Sequence, residues 1–188
     1  MGQFMIDETR HWLKAHSTVF PQDSLKCETI LNHLKLPQIT QKLFFSPGHL
    51  TASAMVLSPD KKQALLIYHS AFQAWIQPGG HLDTDDANPL QTAQRELAEE
   101  CMLNDTTLLL EYPSLLQVDI HDVPAHPGKG HPAHQHYDLR FAFVAQTWDI
   151  QAASDAKAAQ WVSLDDFDPA QSDESVAESI NRLKSLLA

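Results

Sequence analysis

The sequence predicts an α+β fold, and three observations carry that prediction: helical apolar spacing up to about residue 36, two partly β-branched apolar runs joined by turn chemistry near residue 60, and a capped amphipathic helix beginning at Pro89. With 188 residues and 43% hydrophobic content, the chain can build one domain with a real core, whereas a second full domain would be cramped. The expected organisation is a helical extension over residues 1–45 and a main domain over residues 46–188.

In the extension, Phe4, Trp12 and Leu13, then Leu25, Ile30, Leu31 and Leu34, recur at helical spacing, and Pro21 divides them into two helices. Asp23 or Ser24 is a candidate cap for the second. Nothing here has the residue types of a catalytic centre, so the extension reads as a layer packed on the main domain, with a lid or a dimer contact as alternatives.

After Pro47 the texture changes. Thr51 to Leu57 and Gln63 to His69, with Ser58-Pro59-Asp60-Lys61 between them, read as a β-hairpin, and Trp75-Ile76 as a short third strand. Pro78-Gly79-Gly80 breaks the pattern. Asn88 is a good N-cap, Pro89 suits the first helical position, and Gln91 can reach back to complete a capping arrangement, so a helix should run from Pro89 to about Met102. Leu115 to Val123 and Tyr137 to Gln146 are two further strands, joined by a Pro, Gly and His-rich loop. Trp161-Val162-Ser163 is a short strand, and Ser175 to Leu187 a closing amphipathic helix.

The net charge of -11 argues against nonspecific binding to a nucleic acid duplex, although an acidic protein can still bind phosphates through a metal. The two cysteines, Cys27 and Cys101, lack metal-type spacing and suit a reducing compartment. The start carries no secretory signature, and no apolar run reaches the roughly 18 residues a membrane span needs. A cytoplasmic protein with no membrane association is expected.

The helix from Pro89 carries the chemistry. On a wheel of about 100° per residue, Leu90, Ala93, Leu97 and Cys101 form one apolar stripe, and Glu96, Glu99 and Glu100 gather beside it. Like charges at these spacings each destabilise a helix by roughly 0.2–0.5 kcal/mol, and acids in a last turn face the negative end of the macrodipole. A hard divalent cation with oxygen ligands, Mg²⁺ or Mn²⁺, would remedy both conflicts. The alternative is a solvated acidic face, but the preceding Gly79-Gly80 pair, which permits tight turning and leaves carbonyls accessible, makes a metal site the better reading.

The stretch Gly80 to Leu103 resembles the Nudix box, G-x5-E-x7-R-E-U-x-E-E-x-G-U with U aliphatic. Gly80 matches the opening glycine, Arg95-Glu96-Leu97-Ala98-Glu99-Glu100 the core without a gap, and Leu103 the final aliphatic place. Flanking features from about residue 50 to 165 are also similar. There are two departures. One extra residue precedes Arg95, with Asp86 at the first acidic position, and Met102 stands where the box has glycine. A longer loop would still let Asp86 hold Arg95. Because a left-handed conformation is costly for Met, the helix is expected to continue and stop near Asn104.

The resemblance implies an α/β/α sandwich with a mixed sheet and hydrolysis of the pyrophosphate in a nucleoside diphosphate linked to another group. It further implies that Glu96, Glu99 and Glu100 hold Mg²⁺ or Mn²⁺, that the Gly79 carbonyl is an additional candidate ligand, and that Arg95 belongs to the catalytic core. The proton acceptor is Glu96 or a residue outside the box. Family members often form dimers, so a homodimer is a candidate state. A catalytically silent Nudix domain sensing a nucleotide or sugar nucleotide is the alternative, motivated by Asp86 and Met102.

Outside the box, His121, His126, His131, His134 and His136 lie close in sequence. Alternate residues of a strand share a face, so Asp119 with His121, and His136 with Asp138, could meet across a hairpin. Three readings stand: a surface loop with incidental histidines, substrate contacts beside the metal site, and a separate Zn²⁺ site. His81, His121, His136, Asp138 and Arg140 are the candidate substrate contacts, Arg140 being equally well explained as a structural ion pair. Tyr68, Phe72, Trp75 and Tyr137 are candidate stacking partners for a base, core packing being the commoner role.

Overall fold

The computed structural model describes residues 2–70, 73–154 and 156–188. Helix α1 (Gly2–Val19) ends before Pro21, a single 3₁₀ turn follows, and α2 (Ser24–His33) completes the extension. Both helices join the main core: Trp12, Leu13, Cys27 and Ile30 are buried in one cluster with Leu50, Ala54 and Phe141 of the sheet. Asp23 occupies the N-cap of α2 but caps nothing with its side chain. Its buried carboxylate instead receives both ends of the Arg182 guanidinium, at 2.6 and 2.8 Å, and the His16 ring at 2.7 Å. A charged fork offers more than one terminal N–H of a short helix, and it ties the extension to the C-terminal helix.

Among the described residues the sheet has eight strands. At its centre β1 (Gly48–Leu57) and β7 (His134–Ala145) run parallel, with Gly48 to Leu57 in register with Gln135 to Val144. β1 also meets β2 (Gln63–His69) at the predicted turn, where the Lys61 amide donates to the Ser58 carbonyl. β2 pairs with β3 (Ala74–Ile76) and with β8 (Ala156–Ser163), a longer strand than its Trp161–Ser163 core suggested. Gly79-Gly80-His81 does more than break the pattern: it is a strand, β4, antiparallel to Thr51–Ser53. After helix α3 (Pro89–Cys101), a short β5 (Thr106–Leu108) pairs with the far end of β7, and β6 (Gln117–Val123) pairs with its start. Helix α4 (Glu174–Leu187) closes the chain, capped by Asp173 accepting from the Val176 amide at 2.7 Å.

Period-two alternation gives the central strands two different faces. Leu50, Ala52, Ala54 and Val56, with Tyr137, Leu139, Phe141 and Phe143, join the apolar core shared with α1, α2 and α3. On the other face Met55, Leu57, Ala142 and Val144 pack under α4 with Val176, Ile180 and Leu183. Toward the start of β1 that second face turns polar, at His49, Thr51 and Ser53, all buried. Among the described residues no helix is long and apolar enough to cross a membrane.

Candidate active site

Helix α3 starts as its sequence dictates. Asn88 Oδ1 accepts from the Gln91 amide at 2.9 Å, and Gln91 Oε1 reaches back to the Ala87 amide at 2.6 Å, so a reciprocal cap fixes the first turn. Ala93, Leu97 and Cys101 are buried, which sets the rotation of the helix and points the Arg95 and Glu96 side toward β4. A Cβ on Gly80 would lie 2.5 Å from Glu96 Oε1, and one on Gly79 would lie 2.5 Å from the Ser53 Cβ. The two glycines therefore let β4 slip between β1 and the carboxylates of α3.

One guanidinium organises the acids. Arg95 donates to Asp86 from Nε at 3.1 Å and from Nη2 at 3.0 Å, to Glu96 at 2.8 Å, to Glu99 at 3.1 Å, and to the His81 carbonyl at 2.9 Å. Asp86 is buried and also accepts from the Thr92 hydroxyl at 2.8 Å and the Asp83 amide at 2.9 Å. Burial pushes its carboxyl up, yet the bonds from Arg95, Asp83 and Thr92 outweigh this and hold it below the usual range. The longer loop thus brings the shorter Asp to Arg95. Glu100 is buried and accepts from the Gly79 amide at 2.9 Å. Glu99 faces solvent, whereas burial raises the Glu96 carboxyl above its ordinary value, against the pull of Arg95.

The helical wheel suggests a convergence of three glutamates, and the structure refines it. Glu96 and Glu99 lean on Arg95 while Glu100 turns to the backbone of β4. The His81 carbonyl, rather than that of Gly79, is the one tied to Arg95.

Helix α3 also ends earlier than expected. Met102, not Asn104, takes the left-handed conformation, at φ 53° and ψ 27°. The reason is tertiary: the Glu100 and Cys101 carbonyls accept from the Ala153 and Gln151 amides at 2.9 and 3.0 Å, and Leu103 must turn inward to be buried. These contacts outweigh the roughly 1–2 kcal/mol that a left-handed Met costs. Both cysteines are buried, and burial pushes the thiols of Cys27 and Cys101 up to about 11 and about 12, opposite to the shift that activates a thiolate.

Two candidate substrate contacts, Arg140 and Asp138, lie inside the fold. Arg140 is fully buried and donates to Ser53, Gln117, the Ser175 carbonyl, Ser179 and Asp138. Asp138, also buried, accepts from Thr51 at 3.0 Å and Ser53 at 2.5 Å as well. Each of the three guanidinium nitrogens has a partner, so this pair acts as a structural bridge from the sheet to α4. Tyr137 is buried core, Tyr68 and Trp75 meet edge to face at 5.5 Å, and Phe72 lies outside the described residues.

The histidines, by contrast, come together. β6 and β7 place His121 opposite His136 and Asp119 opposite Asp138. His121 bonds Asp119 at 3.0 Å; burial alone would lower its pKa, but the Asp119 bond and the charges of Asp138 and Asp119 raise it. Because β1 and β7 are parallel, His49 also stands opposite His136, and β4 places His81 beside them. His49, His81 and His136 each offer a ring nitrogen, all within 4.8 Å of one another. Burial first, then neighbouring histidines, lowers His81 to about 4 and His136 to about 2, and burial also lowers His49. His49 was missed in the sequence, although the polar residues at 49, 51 and 53 of an otherwise apolar run carry the period-two signal. Of the histidine-rich segment, His134 and His136 belong to β7, whereas His126 and His131, joined by an isolated β-bridge, lie in the connection between β6 and β7, with His126 exposed.

A sequence profile of the NUDIX domain matches residues 47–183, and the chain belongs to the Nudix family. Among curated relatives, a probable DHNTP pyrophosphohydrolase of Lactococcus lactis subsp. cremoris is 30% identical over 104 residues, 55% of this chain and 58% of that protein. The match thus spans little more than half the relative's length. A NUDIX-family hydrolase from Clostridium perfringens superposes with TM-score 0.55 at 22% identity, covering 73% of this chain and 97% of that one. The E. coli dihydroneopterin triphosphate pyrophosphohydrolase superposes with TM-score 0.52 at 14% identity, covering 75% and 97%. At these identities the two structures speak for the fold.

Proposed function

We propose that the chain hydrolyses a phosphoanhydride bond in a nucleoside diphosphate derivative, or in a related compound bearing a pyrophosphate, with Mg²⁺ or Mn²⁺ bound by Glu96, Glu99 and Glu100. The observation that carries this reading is the packing of three carboxylates of α3, two of them shared with Arg95, against a glycine pair whose missing side chains leave room for Glu96. The donors are hard oxygens, the set that such cations prefer over imidazole or thiolate. When bound, the cation would neutralise pyrophosphate oxygens and lower the pKa of a coordinated water.

The chain's own groups do the remainder. Arg95, anchored by Asp86, orients Glu96 and Glu99 and keeps their charges from driving them apart. Water adds to one phosphorus, the bridging P–O bond breaks, and the proton of the water passes to a carboxylate. Glu96, half-buried beside Gly80, is the proposed acceptor, with a residue outside the box as the alternative. The Gly79 carbonyl is a further proposed ligand. His81, His121 and His136, presented beside β4, are proposed to bound the substrate side.

The test is release of phosphate, pyrophosphate or AMP from a panel that includes nucleoside diphosphate derivatives and dihydroneopterin triphosphate, with Mg²⁺ or Mn²⁺. Wild type should turn over at least one compound, and Glu99→Gln and Glu100→Gln should each lose most of that activity. Tight ligand binding with no turnover on any compound would replace the hydrolase reading with a sensor.

A further inference from the structure

We infer that His49, His81 and His136 form a second metal site, for a Zn²⁺-class cation, on the face of β4 opposite the Nudix carboxylates. Successive residues of β4 point to opposite faces, so Gly80 meets Glu96 while His81 meets the other two histidines. One three-residue strand thus separates an oxygen-ligand site from a nitrogen-ligand one.

The strongest observation is at His49. Its residue is fully buried, and its Nδ1 lies 2.9 Å from the Phe44 carbonyl, which can only accept, so Nδ1 carries the proton. Nε2 is therefore a lone pair, and it is buried without a hydrogen-bond partner. An orphaned ring nitrogen in such a place costs roughly 1–3 kcal/mol unless something completes it. A backbone carbonyl holding the far nitrogen of a ligating histidine is also the arrangement that fixes tautomer and ring orientation in metal sites.

His134 repeats the pattern. Its Nδ1 donates to the Pro132 carbonyl at 2.9 Å, which leaves Nε2 as a lone pair, 3.3 Å from His136 Nε2. His134 thus closes the cluster through an N–H···N contact to His136 and lies outside the three nitrogens that converge. The rings of His49 lie 5.1, 5.0 and 4.7 Å from those of His81, His134 and His136. Three imidazoles make the site, and His134 stands beside the fourth tetrahedral position. Imidazole nitrogen selects Zn²⁺ and its neighbours in the transition series over Mg²⁺, so with Mg²⁺ in excess the carboxylates hold Mg²⁺ and the histidines Zn²⁺. The competing account is a stack of neutral histidines held by N–H···N bonds with a water at the His49 nitrogen, and it predicts no Zn²⁺ uptake.

The experiment is a Zn²⁺ titration of the untagged, chelator-stripped full chain by calorimetry, with a parallel Co²⁺ titration read by visible absorption. Wild type should bind one Zn²⁺ with Kd below about 1 μM, about 8 kcal/mol or more, and Co²⁺ should give the intense bands of a tetrahedral, nitrogen-ligated ion. His81→Ala, at an exposed position, and His136→Ala should weaken Zn²⁺ at least 100-fold. A Glu96→Gln/Glu99→Gln double variant should keep the Zn²⁺ site, so its outcome is separate from the fate of the hydrolase reading. Circular dichroism establishes that each variant is folded, and the cobalt spectrum needs no variant at all. Absence of Zn²⁺ uptake and of cobalt bands in wild type, or uptake that survives the histidine changes and disappears with the glutamate changes, would overturn the site.

Discussion

The Asp86–Arg95 pair should couple strongly, and a double-mutant cycle with Asp86→Ala and Arg95→Ala measures the coupling directly. Asp86 is only 4% exposed, and it accepts twice from Arg95, at 3.1 and 3.0 Å. Breaking a fully buried pair costs about 3–5 kcal/mol, and hydrogen bonds to charged groups contribute about 1.5–3 kcal/mol. The arginine side chain is 27% exposed and keeps Glu96 and Glu99 as partners, so the lower range applies. Asp86→Ala should therefore destabilise by about 2–3 kcal/mol, lowering Tm by roughly 4–12 °C for a chain of this size. The bonds from Thr92 and the Asp83 amide are lost in both Asp86 arms and cancel in the cycle. What remains should be a coupling of about 1.5–3 kcal/mol from urea denaturation. Singles that add to the double within about 0.5 kcal/mol would refute the assignment of Asp86 as the anchor of Arg95.

Three further expectations rest on separate contacts. Met102→Gly relieves a left-handed residue whose side chain is 58% exposed; after the greater freedom of glycine in the unfolded chain is discounted, the gain should be about 0.5–1 kcal/mol by thermal or urea unfolding. Gly80→Ala directs a methyl at the Glu96 carboxylate, the movable end of a side chain, so stability should fall by less than about 1 kcal/mol while kcat of the metal-dependent hydrolysis drops at least about tenfold. Burial would raise the Asp23 carboxyl, but the bonds from His16 and Arg182 and the charge of Arg182 hold it well below its usual 3.8. Its folded pKa is depressed, so its contribution is complete above 3.8 and is lost as pH falls below that value; Asp23→Asn should lower stability at neutral pH and flatten the acid limb of a stability-versus-pH curve.

How much of this was legible in the sequence depended on the range of the interaction that decides it. The β1–β2 turn, the Asn88–Gln91 cap and the Arg95–Glu100 core are local patterns, and each determines its geometry within a few residues. β4 was not legible because Gly79 and Gly80 have no side chains to alternate; its pairing comes from β1. The end of α3 is not legible for a similar reason: the local cost at Met102 favours a longer helix, but the amides of Gln151 and Ala153 that take up its last carbonyls lie some fifty residues away in the chain. The histidine centre depends on a parallel pairing of His49 with His136, which no hairpin rule anticipates, since parallel strands are joined by long crossovers.

The polar face of the sheet explains why Arg140, a candidate phosphate ligand in the sequence, is taken up inside the fold. Along β1 the sequence places His49, Thr51 and Ser53 on one face, and along β7 it places His136, Asp138 and Arg140 opposite them. Such a row cannot be covered by an apolar helix face without leaving charges unsatisfied. At one end α4 meets it with Ser175 and Ser179, and Gln117 on β6 completes the network, so Arg140 is consumed in joining helix to sheet. Further along the row Lys26 of α2 reaches Asp119 at 3.6 Å, and at the far end, among the described residues, His49 Nε2 remains without a partner. The same run of alternating polar residues thus has two fates. Where α4 supplies donors and acceptors it becomes structure; where the sheet passes beside β4 it retains ligating capacity next to the carboxylates of α3. Replacing Arg140 should therefore register as a loss of stability, whereas replacing His81 or His136 should register in what the protein binds.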